Sequence, residues 1–332
     1  LQVNFWDPHT PYRTPLSYGN PFAHEPIEDW ITEDKIRRDY ASYGPHSAQD
    51  VAEMGPNDTT RWPRLPRTIA TLEDYKQWID GYDTGVKYMD DHIGQILEVL
   101  DQQDVLDETV IIVSADHGEN QGELNVYGDH QTADHITCRV PLIIRWPGLT
   151  SGQVDRGLHY NLDLPPTLCE LLGARIPPRW DGRGFAATLR NVADAGRDYL
   201  VLSQCAWSCQ RAVRFGPWLL IRTYHDGLKD FPPRMLFNVE QDPHELHDLA
   251  ETHPEIVNRG LALLEEWHGE MMRTSESQVD PLWTVMREGG PYHTRGLLQR
   301  YAQRLRETGR IAQAETLLAR HTQGEWTSRE RP

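Results

Sequence analysis

Two apolar runs that flank a polar loop form the most informative stretch of the chain. The first run, Val110–Val113, is rich in β-branched residues, a pattern that predicts a strand buried on both faces. The second run, Val140–Ile144, predicts another such strand. The loop between them carries Asp116-His117-Gly118 directly after the first run, followed by further acidic residues and histidines. In open α/β sheets, ligands bind beyond the carboxyl ends of strands, so we expect the chemistry in this loop.

A long amphipathic helix is predicted upstream of the first run. Thr71-Leu72-Glu73-Asp74 resembles a capping box with Asp in its last position. The apolar positions that follow recur every three or four residues and predict a core-facing stripe: Tyr75, Trp78, Ile79, Tyr82, Val86, Met89, Ile93, Ile96, Leu97 and Leu100. Gly81 and Gly85 each weaken a helix by roughly 1 kcal/mol relative to Ala, so we expect close packing there. Helix, turn, strand, loop and strand in this order indicate a doubly wound α/β domain.

The first 66 residues predict a strand followed by a long irregular insert. The alternating pattern of Leu1–Trp6 predicts the strand, and because the chain starts inside that pattern without Met, we expect a missing part upstream. Pro8-His9-Thr10-Pro11 then fixes a turn that holds His9 at the strand's carboxyl end. From Tyr12 to Pro66 only one short helix is predicted, at Thr32 to Tyr40. So long an insert is usually functional, for instance as a substrate-side loop.

The second half of the chain predicts a smaller sheet and a helical end. Leu164–Leu172 predicts a helix that stops at Gly173. Short strands at hairpin-like intervals predict an antiparallel sheet: Tyr199–Leu202, Arg211–Arg214, Trp218–Thr223 and Met235–Asn238. An amphipathic helix at 255–272 follows, and residues 296–321 predict two helices joined by a turn near Gly309. The predicted units are therefore an α/β core (1–195), a sheet-and-helix subdomain (196–275) and a helical tail (276–332).

Composition and charge exclude several classes of function. The formal net charge of −17 disfavours a broad nucleic-acid or anionic-membrane surface. No apolar stretch approaches the roughly 20 residues of a membrane-spanning helix. The four cysteines are too few for a disulfide framework and are interpreted as buried apolar residues. Dinucleotide, phosphate-loop, nucleophile-elbow and His-Glu-x-x-His zinc motifs are absent from the sequence.

Asp116 and His117 predict half of a metal site. They suit a hard divalent ion such as calcium, which takes about six to eight oxygen ligands, so two ligands alone cannot hold it. The alternative is an ordinary strand-end turn. His130 is a second candidate, since Asp129 or Asp134 could keep it protonated, although a solvated loop histidine is equally compatible with the local sequence.

The remaining histidines give weaker signals. His9 and His135 carry the same ambiguity as His130. An isolated loop histidine is usually a solvated residue and not part of a site. Six others have no suitable spacing and are expected at the surface: His159, His225, His244, His247, His268 and His293.

Taken together, six short segments in this order resemble the sulfatase family of the alkaline phosphatase superfamily. They are Pro8-His9-Thr10-Pro11, YMDDHIGQILEVL, DETVIIVSADHGE, CRVPLIIRWPG, Asp163–Leu168 and LFNVEQDPHELHDLA. The resemblance covers roughly Leu1 to Ala250 and implies a doubly wound mixed sheet with its N-terminal part missing, a smaller C-terminal antiparallel sheet and a helical tail.

The resemblance also implies residue roles. Asp116 and His117 match two metal ligands, and His9 matches the histidine that contacts the sulfate or leaving-group oxygen. His130 lies nine residues before Arg139, where many members carry a sulfate-binding lysine. His135 stands where many members have Glu, and we assign it no role.

The family nucleophile, a formylglycine made from Cys or Ser in a Cys/Ser-x-Pro-Ser-Arg motif, has no counterpart in this sequence. We therefore expect a calcium-dependent sulfuric ester hydrolase whose given chain lacks the nucleophile and is inactive as a fragment. Its substrate would be a sulfated small molecule or carbohydrate. The alternatives are a phosphonate monoester or phosphodiester hydrolase using Mn²⁺ or Zn²⁺, and a non-catalytic binding protein on the same scaffold.

The C-terminal tail carries several arginines, from Arg295 to Arg320. It either docks a partner or second subunit or, as the favoured interpretation, folds back on its own domain. A homo-oligomer is left open.

Overall fold

The computed structural model describes residues 1–52, 58–192 and 196–321 of the 332-residue chain. Its helices are α1 (Glu33–Ala41), α2 (Leu72–Gln102), α3 (His135–Cys138), α4 (Leu164–Leu172), α5 (Ala186–Leu189), α6 (Pro254–Thr274), α7 (Pro281–Arg287), α8 (Leu298–Glu307) and α9 (Ile311–His321). Its strands are β1 (Ile111–Ser114), β2 (Asn120–Gln121), β3 (Tyr127–Asp129), β4 (Leu142–Arg145), β5 (Tyr199–Gln204), β6 (Cys209–Phe215), β7 (Trp218–His225) and β8 (Arg234–Asn238).

Helix α2 is the longest element and begins at the predicted capping box. Thr71 Oγ1 accepts a hydrogen bond from the Asp74 backbone N–H at 3.1 Å, and the Asp74 carboxylate accepts one from the Thr71 N–H at 3.0 Å. Both orphan donors are satisfied reciprocally, so Asp serves in the position usually held by Glu. The buried face of α2 centres on Trp78, which is fully buried among Tyr12, Tyr75 and their neighbours.

The close packing expected at Gly81 and Gly85 is confirmed. A Cβ at position 81 would lie 2.7 Å from Tyr12 Cδ2, and one at position 85 would lie 3.1 Å from Pro8. Two glycines one turn apart thus let the segment around His9 lie directly against α2.

The N-terminal strand prediction is wrong, whereas the short helix prediction is confirmed. Leu1–Trp6 has no strand structure and is exposed. Alternation of apolar residues suits a pleated strand, but a strand also needs a neighbour that pairs with its backbone groups, and none lies here within the described ranges. The helix expected at Thr32 to Tyr40 is α1, where Thr32 Oγ1 accepts from the Lys35 N–H.

The two apolar runs pair with each other, but they are not buried on both faces. β1 and β4 are antiparallel, with Ile111 opposite Arg145 and Ser114 opposite Leu142. Ile143 is 63 % exposed, and no β1 residue is fully buried. Burial on both faces requires flanking strands and helices on each side. No third described strand pairs with this sheet, so that expectation is wrong here.

The predicted C-terminal sheet is confirmed as four antiparallel strands in the order β5-β6-β7-β8. Side chains alternate between its faces, as the period-2 pattern requires. Ala212 and Ile221 pack with Ala133 of the site loop, whereas Val213 and Leu220 pack with helix α6 on the other face. This sheet therefore supports the loop that was expected to carry the chemistry.

The helical tail folds back on its own chain. Helices α8 and α9 pack together, and Arg304 and Arg310 both contact the buried carboxylate of Asp50. Arg320 contacts Asp226 at 3.0 Å. The tail is thereby anchored to the N-terminal insert and to the loop after β7.

Two further points concern the organisation of the chain. The predicted unit boundary at 195/196 adjoins residues 193–195, which lie outside the described residues, so the three-unit division stays a prediction. In the ranges that the structure covers, no helix is long and apolar enough to cross a membrane.

Candidate active site

The Asp-His-Gly loop after β1 is held in place by a close backbone approach to α3. The Gly118 N–H donates to the Thr137 carbonyl at 2.7 Å. A Cβ at position 118 would lie 2.0 Å from the Ile136 carbonyl oxygen, so only glycine fits. Proximity to a neighbouring helix is therefore what requires glycine after His117.

Within the described ranges, Asp116 Oδ2 and His117 Nε2 make no hydrogen bond, so each is left as a possible metal ligand. His117 Nδ1 lies 2.8 Å from the Gly118 carbonyl oxygen. Because a ring N–H donated there fixes the tautomer, Nε2 is left as the ligating atom. Asp116 Oδ1 accepts from the His117 backbone N–H at 3.1 Å, and Asp116 Oδ2 lies 3.8 Å from His117 Nε2. Two donors at this separation can both reach one ion at metal–ligand distances of about 2.0–2.6 Å.

The pair fits a metal site but does not complete one. Among residues 1–52, 58–192 and 196–321, no group of three or more His, Cys, Asp or Glu side chains could hold an ion. A calcium ion takes about six to eight oxygen ligands, so Asp116 and His117 fit as two members of a larger set.

His130 lies beside this pair. Its ring stacks on the His117 ring with centroids 3.8 Å apart and planes inclined by 24°. Strand β3 ends at Asp129 and delivers His130 to that position. The polar loop thus folds so that residues 13 positions apart form one contiguous surface.

The expected protonation of His130 is not what the surroundings favour. Burial lowers the pKa of His130, the charge of Asp129 opposes that shift, and the charges of His117 and His9 reinforce it. Asp129 does contact the ring, with Oδ1 3.2 Å from His130 Nδ1. Asp134, the other candidate, instead accepts hydrogen bonds from Thr132, Thr137 and Asn120. Desolvation therefore outweighs the nearby carboxylate.

His9 lies at the edge of the same site. A Cβ at position 128 would lie 2.8 Å from Thr10 Cγ2, so the His9 turn packs against β3 just before His130. The His9 ring stacks on Trp6 with centroids 4.8 Å apart and remains exposed.

His135 takes a structural place outside the site. It begins α3, and its backbone N–H donates to Glu245 Oε1 at 2.7 Å. Burial, helped by Arg139 and Arg214, lowers the pKa of its ring to about 4.

The surface placement is confirmed for His247 and His293, which are exposed, whereas the other four later histidines are half-buried: His159, His225, His244 and His268. For example, His244 Nδ1 lies 2.8 Å from Glu123 Oε1, and its ring stacks on Trp30. A histidine can be buried when an acidic or aromatic side chain packs against it. The spacing of residues along the sequence does not indicate such partners.

Two site residues escape the sequence analysis. His46, from the irregular insert, is buried with Nε2 3.1 Å from Asp129 Oδ2. Glu119 has a buried Oε1 with no hydrogen-bond partner among the described residues, and burial followed by the charge of Asp129 raises its pKa to about 8. The sequence signal for Glu119 is its position directly after Asp-His-Gly. The signal for His46 is weaker, because only a Gly-Pro turn precedes it.

Two family profiles match the chain. The profile described as Sulfatase matches residues 6–174, and the one described as N-sulphoglucosamine sulphohydrolase, C-terminal, matches residues 122–261. The choline-sulfatase of Rhizobium meliloti is 30 % identical over 262 residues, which cover 76 % of this chain and 46 % of that protein. The multifunctional alkaline phosphatase superfamily protein PehA of Trinickia caryophylli is 35 % identical over 121 residues, covering 35 % of this chain and 23 % of that protein.

Solved structures show the same fold. The phosphonate monoester hydrolase of Silicibacter pomeroyi superposes with a TM-score of 0.61 at 23 % identity, covering 81 % of this chain and 55 % of that one. BT4656, solved with its substrate D-glucosamine-2-N,6-O-disulfate, superposes with a TM-score of 0.56 at 21 % identity, covering 70 % and 48 %. The chain thus spans about half the length of the relatives it matches. With the sulfatase profile matching half of its residues, the chain belongs to the sulfatase family, on an alkaline phosphatase-type α/β fold.

Proposed function

We propose that the natural protein carrying this chain hydrolyses the sulfuric ester of a small molecule or carbohydrate. The observation that carries this proposal is the stacking of His130 on His117, which puts a polar side chain beside two free ligand atoms, Asp116 Oδ2 and His117 Nε2. Sulfatase relatives support the ester class, among them the N-acetylglucosamine-6-O-sulfatase of Bacteroides thetaiotaomicron, 25 % identical over 185 residues.

Asp116 and His117 would hold a divalent cation, for which calcium suits the carboxylate and Mn²⁺ or Zn²⁺ are the alternatives. When bound, such an ion supplies Lewis-acid stabilisation of the charge that develops on the ester oxygens. His130 would contact a sulfate oxygen, and His9 would hold the proton that the leaving oxygen takes. The formylglycine nucleophile of the family would come from residues other than those of this sequence.

A phosphonate monoester or phosphodiester hydrolase is the second candidate. The fold shared with the Silicibacter pomeroyi phosphonate monoester hydrolase favours it. Both reactions place an anionic tetrahedral group next to the metal, so the site residues named above serve either one.

The test compares hydrolysis of an aryl sulfate and an aryl phosphonate monoester by the natural protein, with calcium and with manganese. We expect a higher kcat/KM for the sulfate in calcium. A preference for the phosphonate ester would establish the second candidate instead. Turnover of neither ester class would contradict both and favour the binding-protein alternative.

A further inference from the structure

Two cysteines lie opposite each other at the turn between strands β5 and β6. The strands are antiparallel, and the last pair in their register is Gln204 opposite Gln210. The next residue toward the turn on each strand is a cysteine, so the same register places Cys205 opposite Cys209. Opposed residues of an antiparallel pair have Cα atoms about 4.5–5.5 Å apart, and a disulfide needs about 4.4–6.8 Å. The backbone is therefore spaced for a bond between these two sulfur atoms, which are both free thiols.

Both cysteine side chains lie on the same face of the sheet. Side chains alternate along a strand, so Cys205 shares a face with Val201, and Cys209 shares a face with Val213. Val201 and Val213 are opposed in the register and pack in one cluster with residues of α6. The two cysteines therefore point to one side of the hairpin, as a disulfide between them requires.

The three-residue turn between the cysteines is fixed by other parts of the chain. The Ala206 carbonyl oxygen accepts the His293 N–H at 2.9 Å, and Ser208 Oγ donates to the Gln131 carbonyl oxygen at 2.7 Å. Between them, the Trp207 ring stacks on the His293 ring with centroids 4.7 Å apart. Because these contacts hold the turn in one conformation, the folded chain keeps each thiol at a high effective concentration for the other.

The two thiols differ in exposure and in acidity. The prediction that all four cysteines are buried is confirmed only for Cys209, since Cys205 and the other two are half-buried. Interaction with the Cys209 thiol lowers the pKa of Cys205, burial opposes that shift, and the charge of Arg211 reinforces it. The same interaction, together with burial, raises the pKa of Cys209. Cys205 is therefore the cysteine that forms a thiolate first and that a reagent in solvent reaches first.

We propose that Cys205 and Cys209 are a redox modification site that closes to a disulfide when the surroundings supply a small disulfide such as oxidised glutathione. The Cys205 thiolate attacks one sulfur of that molecule, forms a mixed disulfide and releases one glutathione thiolate. Cys209 gives its proton through solvent to the released thiolate and attacks Cys205 Sγ. This step expels the second glutathione thiolate, which takes up the proton that Cys205 had lost. The two cysteines thus lose two electrons, and the small disulfide gains them.

The charges at the site favour this order of steps. Once Cys205 is in the mixed disulfide it carries no negative charge, so the repulsion that raises the pKa of Cys209 is removed. The charge of Arg295 then favours the Cys209 thiolate. None of these steps rests on the proposed sulfuric ester hydrolysis.

The test equilibrates the folded natural protein at neutral pH with mixtures of reduced and oxidised glutathione. Free thiols are then blocked with iodoacetamide, and the peptides are analysed by mass spectrometry. Cleavage after Arg197 and Arg211 releases both cysteines in one peptide. We expect a form of this peptide with no blocking group and two fewer hydrogen atoms than the dithiol. Its fraction should rise with the share of oxidised glutathione.

Three variants separate the steps. Cys209→Ser should stop at the mixed disulfide and keep one glutathione on Cys205. Cys205→Ser should leave Cys209 as a thiol, because Cys209 is fully buried. The matched control is Cys169→Ser, which replaces a half-buried cysteine of α4 and should leave the bond between Cys205 and Cys209 unchanged.

Three results would overturn the proposal. One is a wild-type peptide that keeps both thiols in every mixture, and another is a bond from either cysteine to a third cysteine. The third is a folded Cys209→Ser that takes up no glutathione on Cys205, which contradicts the first step. The wild type alone decides whether the bond forms, even if a variant does not fold. An absence of ester turnover would remove the proposed function and leave the result at the cysteines unaffected.

Discussion

The buried carboxylate of Asp50 allows a quantitative prediction about how the tail is held. Asp50 is fully buried; Arg310 Nη1 donates to its Oδ2 at 2.9 Å, Tyr301 OH to its Oδ2 at 2.7 Å, and Arg304 Nε to its Oδ1 at 2.8 Å. Burial alone would raise the pKa of Asp50, but these hydrogen bonds and the arginine charges outweigh it and hold the pKa below its usual value. The Asp50 carboxylate is therefore charged at neutral pH and partly neutralises the guanidinium charges of Arg304 and Arg310.

Asp50→Asn keeps the shape of the side chain and removes its charge. Breaking a buried ion pair at one partner costs about 3–5 kcal/mol, because the other charge stays buried and unpaired. The Arg310 side chain is 6 % exposed, whereas that of Arg304 is 26 % exposed and keeps some contact with water. We therefore expect Asp50→Asn to lower the unfolding free energy by about 3 kcal/mol, near the lower end of that range.

The assay is urea denaturation of the natural protein, with Asp34→Asn as the matched control. Asp34 pairs with Arg37 on an exposed helix face, so its loss should have little effect. The Asp50 contribution is fully present above the unfolded-state pKa of about 3.9 and is lost as the pH falls through the lower folded-state pKa. The difference between wild type and Asp50→Asn should therefore persist at neutral pH and shrink in acid. Equal destabilisation by the two variants would refute the reasoning.

Three further predictions concern other parts of the molecule. Burial lowers the pKa of Lys229 to about 7, so between about pH 7 and 10 the unfolded chain binds a proton that the folded chain does not. The unfolding free energy of the wild type minus that of Lys229→Met should thus rise with pH over this range in urea titrations, and a flat difference would contradict it. Gly128→Ala should destabilise more than Gly152→Ala in the same assay, because both have positive φ but only Gly128 faces a buried indole ring, 2.3 Å from the new Cβ. Calcium should raise the melting temperature of the wild type and of the exposed-site control Asp107→Asn, but not of Asp116→Asn, and an equal rise in all three would remove Asp116 from the metal site.

Sequence patterns predicted the elements well where the interacting residues lie close together along the chain. The capping box at Thr71, the helix stop at Gly173 and the four strands from Tyr199 onward all depend on neighbours within one or two turns or one hairpin. Asp116, His117 and His130 of the predicted loop do lie together, whereas their chemical roles stay a prediction.

The errors arise where a distant partner decides the outcome. Leu1–Trp6 has the pattern of a strand but no neighbour to pair with in the described ranges, and Ile143 stays exposed because no third described strand flanks its sheet. His46 reaches Asp129 across 83 positions of sequence, and nothing in its surroundings along the chain marks that contact. The local sequence names Asp129 as a partner of His130, but the balance between desolvation and its charge depends on the folded surroundings.

The most direct test of the proposed site is the turnover of an aryl sulfate by the natural protein with His130→Ala, compared with His159→Ala. Removing one group that stabilises the charge developing in the transition state costs roughly 10²–10³-fold, so His130→Ala should lower kcat/KM by that order. His159, which pairs with Asp155 outside the site, should be replaceable with little effect. Near-wild-type turnover by His130→Ala would remove His130 from the site and contradict the account.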